Sequence, residues 1–195
     1  MFSFFKKSVK QSSCSPMLKK DSLQTNENTN FGIASNSKAF TTTALAILAE
    51  EGKISWTDKV TKHIPEFKMY NDYVTQNFNI QDLLTHRSGL GLGIGDLMFF
   101  PDGADFTIND IISSFKHFTP VSAFRTKFDY DNLLYLVAGE VIARVSGLTW
   151  EKFIKERIFD PLAMDNSYAS LTYINDKSKY FSTRSRYLIG ISSLE

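Results

Sequence analysis

Ser35 and Lys38 are the first residues whose types and spacing could do chemistry. They lie in the run Phe31-Gly-Ile-Ala-Ser-Asn-Ser-Lys-Ala-Phe40, where a short apolar stretch breaks into a helix. A serine is a poor nucleophile until a base takes its proton, and a lysine can be that base when its surroundings depress its pKa. An i, i+3 spacing near a helix start brings hydroxyl and amine together. Free backbone N–H groups there favour developing negative charge, so the pattern suits acyl transfer. The spacing recurs at Ser3/Lys6 and Ser113/Lys116. On its own, the spacing favours Ser35 as a helix N-cap and Lys38 as a solvated helix residue over a catalytic pair.

The elements that must position this pair follow from periodicity and stop signals. Phe40, Ala44, Leu45 and Leu48 fall on neighbouring turns and predict a helix over 36–51, stopped by Gly52. A short helix is expected to end near Pro65, followed by a connection over 66–79 carrying Phe67, Tyr70 and Tyr73. Asn79 to His86 has a capping residue and paired leucines and predicts another short helix. Arg87 to Asp96 alternates four glycines with other residues but lacks the Lys-Ser/Thr ending and the flanks of a phosphate-cradling loop. It is expected to be a bend, or a mobile segment beside a pocket. Phe99 and Phe100 would be packing residues or apolar pocket contacts.

Further helices are predicted over 107–118, over 132–145 with Gly147 as the stop, and from a Thr149 cap to about Ile158 before Pro161. Few strands are expected. Residues 1–30 read as a poorly ordered leader, 31–175 as the folded domain and 176–195 as an atypical tail.

Composition narrows the function classes. Basic and acidic residues nearly cancel, at 22 against 21, so charge offers no reason to expect nucleic acid or a membrane surface. The many phenylalanines have no basic stripe beside them and suggest core and pocket lining. Cys14 is the only cysteine, which rules out an internal disulfide. His63, His86 and His117 lack ligand-like spacing, so no metal and no cofactor is expected. No apolar stretch reaches the ~18–20 residues of a transmembrane segment. The charge of the first seven residues follows a very short apolar run, the reverse of a signal peptide, and compartment and oligomeric state stay open.

From Asn30 to about Ala169 the chain resembles the serine β-lactamase/penicillin-binding-protein superfamily, nearest its class C-like, β-lactamase-related serine hydrolases. The resemblance is carried in order by Phe31 to Thr41, Ala49-Glu-Glu-Gly-Lys-Ile-Ser55, Leu83-Leu-Thr-His-Arg-Ser-Gly-Leu90, Phe128-Asp-Tyr-Asp-Asn132, Ala138 to Gly147 and Ile158-Phe-Asp-Pro-Leu-Ala-Met164. It implies an α/β β-lactamase/transpeptidase-like fold of which this chain covers mainly the helical part. It also implies Ser35 as acylated nucleophile and Lys38 as proton acceptor. Tyr130 would shuttle the proton to the leaving group, and Asn132 would hold substrate and lysine. A phenol beside an ammonium and a carboxamide with donor and acceptor suit those tasks. The alternatives are a core tyrosine at a helix entry and a helix cap, and Tyr173-Ile-Asn175 repeats the spacing. His86 falls in a stretch that the resemblance makes structural, and Glu50, Glu51 and Glu140 read as solvated helix carboxylates.

The chain departs from the pattern at the third family motif. No Lys-Thr-Gly or Lys-Ser-Gly occurs, and no histidine is followed two residues later by glycine. One of two oxyanion-hole donors normally comes from that strand, and losing a donor costs about 10²–10³ in rate. Two functions are therefore expected. One is a serine hydrolase or acyl transferase acting on an ester, amide, D-Ala peptide or β-lactam carbonyl, with a small molecule or peptide as partner. The other is a fragment or frameshifted, truncated paralogue of weak or no activity that binds a ligand or partner chain.

Overall fold

The computed structural model describes residues 30–99, 105–174 and 180–181. The predicted leader, Cys14, Phe100, Asn175 and most of the tail lie outside them. Seven α-helices run in order through the described residues: α1 Ser37–Glu50, α2 Val60–His63, α3 Asp72–Asn77, α4 Ile80–Leu84, α5 Ile108–Ser114, α6 Leu133–Ser146 and α7 Trp150–Ile154. A 3-10 turn, Ala34–Asn36, leads into α1, and a π-helical turn, Lys155–Phe159, prolongs α7. The two short strands, β1 Asn30–Phe31 and β2 Tyr180–Phe181, pair in parallel. The mostly helical, strand-poor architecture agrees with the sequence expectation.

The centre is α6. Leu133 to Gly139, Val141 and Ile142 are all buried, so the helix is apolar on nearly every side and must be enclosed. Helices α1, α4, α5 and α7 enclose it, and Gly147 ends it. From α1, Thr41, Ala44, Leu45 and Leu48 face inward. The phenylalanine-rich composition is spent in a second cluster: Phe67 meets Phe78 and Phe115 at 5.6 Å each, and Phe78 stacks on Phe124 at 5.4 Å. Such offset and tilted rings add to the burial of their area.

Local signals fix the helix starts. The predicted Asn79 cap closes a box with Asp82, and Thr107 closes another with Asp110. The connection expected over 66–79 contains α3, started by the Asn71 side chain accepting from the Val74 N–H. That short helix follows no strong apolar period, so spacing does not announce it. Two of the carboxylates expected to be solvated are paired instead: Glu51 with Arg157 and Lys53, and Glu140 with Arg144, which also clasps Glu66.

The glycine-rich stretch packs down as a turn over the start of α6. Gly95 has φ +72°, and a Cβ there would collide with Leu133 and stand 2.9 Å from Phe118. Only glycine lets the backbone pass this close to the core. Phe99 packs against the core, consistent with the packing alternative. Among the described residues, no single helix is long and apolar enough to cross a membrane.

A buried polar bond ties α1 to α7, since the Trp150 indole N–H donates to Thr41 Oγ1 at 3.0 Å, with Thr41 wholly enclosed. Thr41→Val keeps the volume and leaves that donor unsatisfied, so urea denaturation is expected to show a loss of about 1–3 kcal/mol, with Thr41→Ser losing less.

Candidate active site

The start of α1 presents Ser35. Ala34 before it has φ +46°, a left-handed conformation that costs a residue with a Cβ of order 1–3 kcal/mol, and this bend sets Ser35 in the 3-10 turn ahead of the helix. Neither N-cap position here, Ile33 or Asn36, makes a side-chain cap bond, so capping is not what Ser35 is doing. Its Oγ instead accepts from Lys38 Nζ at 3.3 Å. The matching pair at Ser113 is a chance spacing: the Ser113 hydroxyl bonds back to the Asp110 carbonyl on α5.

The start of α6 brings the other half. Lys38 Nζ donates to Asn132 Oδ1 at 2.7 Å, across 94 residues of chain. Its charge also lies against two rings, 4.8 Å from the centroid of Tyr130 and 5.3 Å from that of Tyr135. The structure thus brings Ser35, Lys38, Tyr130 and Asn132 together. The contact between Lys38 and Tyr130 is to the ring face, a cation–π arrangement.

Asn132 is free for this because its neighbour does the capping. Asn132 holds the N-cap position of α6 without a side-chain cap bond, while Asp131 Oδ1 accepts from the Leu134 N–H at 3.3 Å. The capping alternative for Asn132 is therefore set aside. Its Nδ2 donates to both oxygens of Asp96, at 3.1 and 3.2 Å.

His86 braces Tyr130. The two rings lie 4.5 Å apart at 32°, and Phe128 and Tyr135 complete the aromatic packing around the imidazole. Its Nδ1 accepts from the Asp131 N–H at 3.1 Å, which places the ring proton on Nε2. Burial, and then the charge of Lys38, hold its pKa below the ordinary value. His86 stands at φ +56°, a second left-handed residue at this centre. The imidazole thus packs among aromatic rings and accepts from a backbone N–H.

Three residues of the centre were not singled out by the sequence. Asp96 had a weak signal, as the sole acid in the glycine-rich stretch. Tyr135 lies one helical turn beyond Asn132, and burial raises the pKa of its phenol, which donates to the Leu84 carbonyl at 3.1 Å. Asp131 is fully enclosed, and its Oδ2 has no partner among the described residues. Burial pushes its carboxyl up to about 7, the Asp96 charge adds to this, and two backbone N–H groups and Lys38 oppose it.

A raised carboxyl pKa lowers stability as pH rises. Between about pH 4 and 7 the folded chain keeps a proton that the unfolded chain has released, and above 7 the full cost of the buried charge is present. From pH 5 to pH 8 the wild-type protein is therefore expected to lose roughly 2–3 kcal/mol more in urea denaturation than Asp131→Asn does. Equal pH slopes in the two proteins would contradict the ionisation of Asp131.

The chain matches the β-lactamase family model over residues 18–182. It is 30% identical over 151 residues to an unguisins hydrolase of Aspergillus campestris, covering 72% of this chain and 27% of that protein. Its fold is similar to the octameric penicillin-binding protein homologue from Pyrococcus abyssi, with a TM-score of 0.65, 28% identity and coverage of 78% of this chain and 36% of that one. A class C β-lactamase gives a TM-score of 0.65 and 25% identity over 80% of this chain and 40% of the other. The chain spans less than a third of the length of the curated relatives it matches. With the mostly helical part of a β-lactamase/transpeptidase fold and a match over most of its length, the chain belongs to the β-lactamase family, within the superfamily of serine β-lactamases and penicillin-binding proteins.

Proposed function

We propose that the chain carries the nucleophilic centre of a serine hydrolase or acyl transferase acting on an ester, amide, D-Ala peptide or β-lactam carbonyl. The observation that supports this best is the bridge made by Lys38, with its Nζ 3.3 Å from Ser35 Oγ and 2.7 Å from Asn132 Oδ1. Along the first line a neutral amine takes the hydroxyl proton as Oγ attacks the carbonyl carbon. The O–H bond of Ser35 breaks, an N–H bond forms on Lys38, and the carbonyl oxygen takes the electron pair. The new ammonium is held by the Asn132 carbonyl oxygen and by the faces of Tyr130 and Tyr135.

Collapse of the tetrahedral species expels the leaving group, which takes a proton by way of the Tyr130 phenol, and leaves an acyl-Ser35. Water then releases the acyl group and restores the serine. The Ser35 backbone N–H, at the entry to α1, supplies one donor to the oxyanion. Asn132 serves substrate and lysine from one amide, with Oδ1 committed to Lys38 and Nδ2 on the side away from it.

Incubating the chain with a fluorophosphonate or a penicillin is expected to give a covalent adduct in the intact mass. Ser35→Ala abolishes it, and Lys38→Ala slows its formation by about 10²–10⁴, the range for loss of a positioned base. A wild-type chain that forms no adduct with either reagent would overturn the reading and leave the ligand- or partner-binding alternative.

A further inference from the structure

We propose that Asp96 is a positioning residue of this centre: its carboxylate fixes which way round the Asn132 amide stands, and through that amide it holds Lys38 over Ser35. A carboxamide is nearly symmetric in shape, so packing alone does not choose between its oxygen and its nitrogen. Chemistry chooses here. As the ammonium formed when it takes the serine proton, Lys38 presents only donors, a carboxylate only acceptors, and Asn132 lies between them, 2.7 Å from the one and 3.1 and 3.2 Å from the two oxygens of the other. One orientation satisfies both partners. The flipped one sets N–H groups against the ammonium and an oxygen against the carboxylate.

The loop is shaped to deliver that carboxylate. Gly93 has φ +67°, and a Cβ on it would come within 3.1 Å of Asp96 Oδ2, so the absence of a side chain there leaves the acid room to lie back over the loop. The Gly93 N–H donates to the Tyr130 carbonyl at 2.9 Å, which ties the loop to the residue two positions before Asn132. Among the described residues, the Asp96 carboxylate bonds to Asn132 and makes no hydrogen bond to Ser35. It acts by keeping an acceptor on Lys38 as the lysine gains the serine proton, which is where a charge-assisted chain of hydrogen bonds matters most. Asp131 is a second carboxyl coupled to Asp96 and Lys38 among the described residues. It is committed to the start of α6, whereas Asp96 faces the amide.

The kinetic part of this rests on the acyl-transfer reading above; the amide orientation does not. Two measurements on the 195-residue chain separate them. In a nitrogen-15 spectrum, the side-chain NH₂ signal of Asn132, identified by its loss in Asn132→Ala, is expected downfield in the wild-type protein, shifted upfield in Asp96→Asn and restored in Asp96→Glu. In the second, the rate of Ser35 acylation at saturating fluorophosphonate is expected to fall roughly 10–100-fold in Asp96→Asn and to recover most of that in Asp96→Glu, the scale of one hydrogen bond to a charged group. Gly93→Ala, which keeps the charge but crowds the carboxylate, moves both readouts in the same direction by less, and is the variant to use if Asp96→Asn does not fold. An unmoved Asn132 signal, or a moved signal with wild-type acylation in Asp96→Asn, would overturn the proposal. If the wild-type chain is not acylated at all, the hydrolase reading fails, and the Asn132 signal decides the role of Asp96 by itself.

Discussion

The 2.7 Å bond from Lys38 Nζ to Asn132 Oδ1 is the contact on which the centre depends. A part-buried ammonium needs acceptors and polarisable faces to offset its lost hydration, and Lys38 finds an acceptor and two aromatic faces on the far side of the chain. The carboxamide comes from the start of α6, and the rings come from Tyr130 before that helix and Tyr135 within it. The charge thus acts as a clasp between the first and the central helix.

The rest of the molecule is arranged so that this clasp has one geometry. Helix α6 is enclosed on nearly all sides, so its first residue cannot drift, and Asp131 takes over the cap that an asparagine at that position would ordinarily provide. The backbone N–H of the same Asp131 holds His86, and the imidazole braces Tyr130. A single tripeptide, Tyr130-Asp131-Asn132, therefore supplies a ring, a helix cap and an amide, and the capping by Asp131 leaves the Asn132 amide to Lys38.

Much of this was legible from residue types. The apolar period of α1 and α6, the Asn79, Thr107 and Thr149 caps and the stop at Gly147 announced their elements directly, because each reports a local backbone requirement. The four candidate residues came from family blocks, and the structure brings them together. What stayed hidden depends on contacts between distant segments. The Asn71 cap of α3 sits in a stretch with no strong period, and Asp96 looks like the end of a flexible loop until the loop folds over α6. Glu51 looked solvated because Arg157 lies elsewhere in the chain, whereas Glu140 pairs with Arg144 one turn on, an i, i+4 spacing that the sequence did carry.

The left-handed turn at Ala34 has a bearing on how the protein would respond to heat. A backbone held off its preferred basin springs back when its surroundings loosen, and this one sits in the residue that aims Ser35. The well-packed helices behind it have no such reserve of tension. Warming should therefore disarm the nucleophile by letting this entry turn relax while the helical body stays intact, so that the chemistry fails at a lower temperature than the architecture.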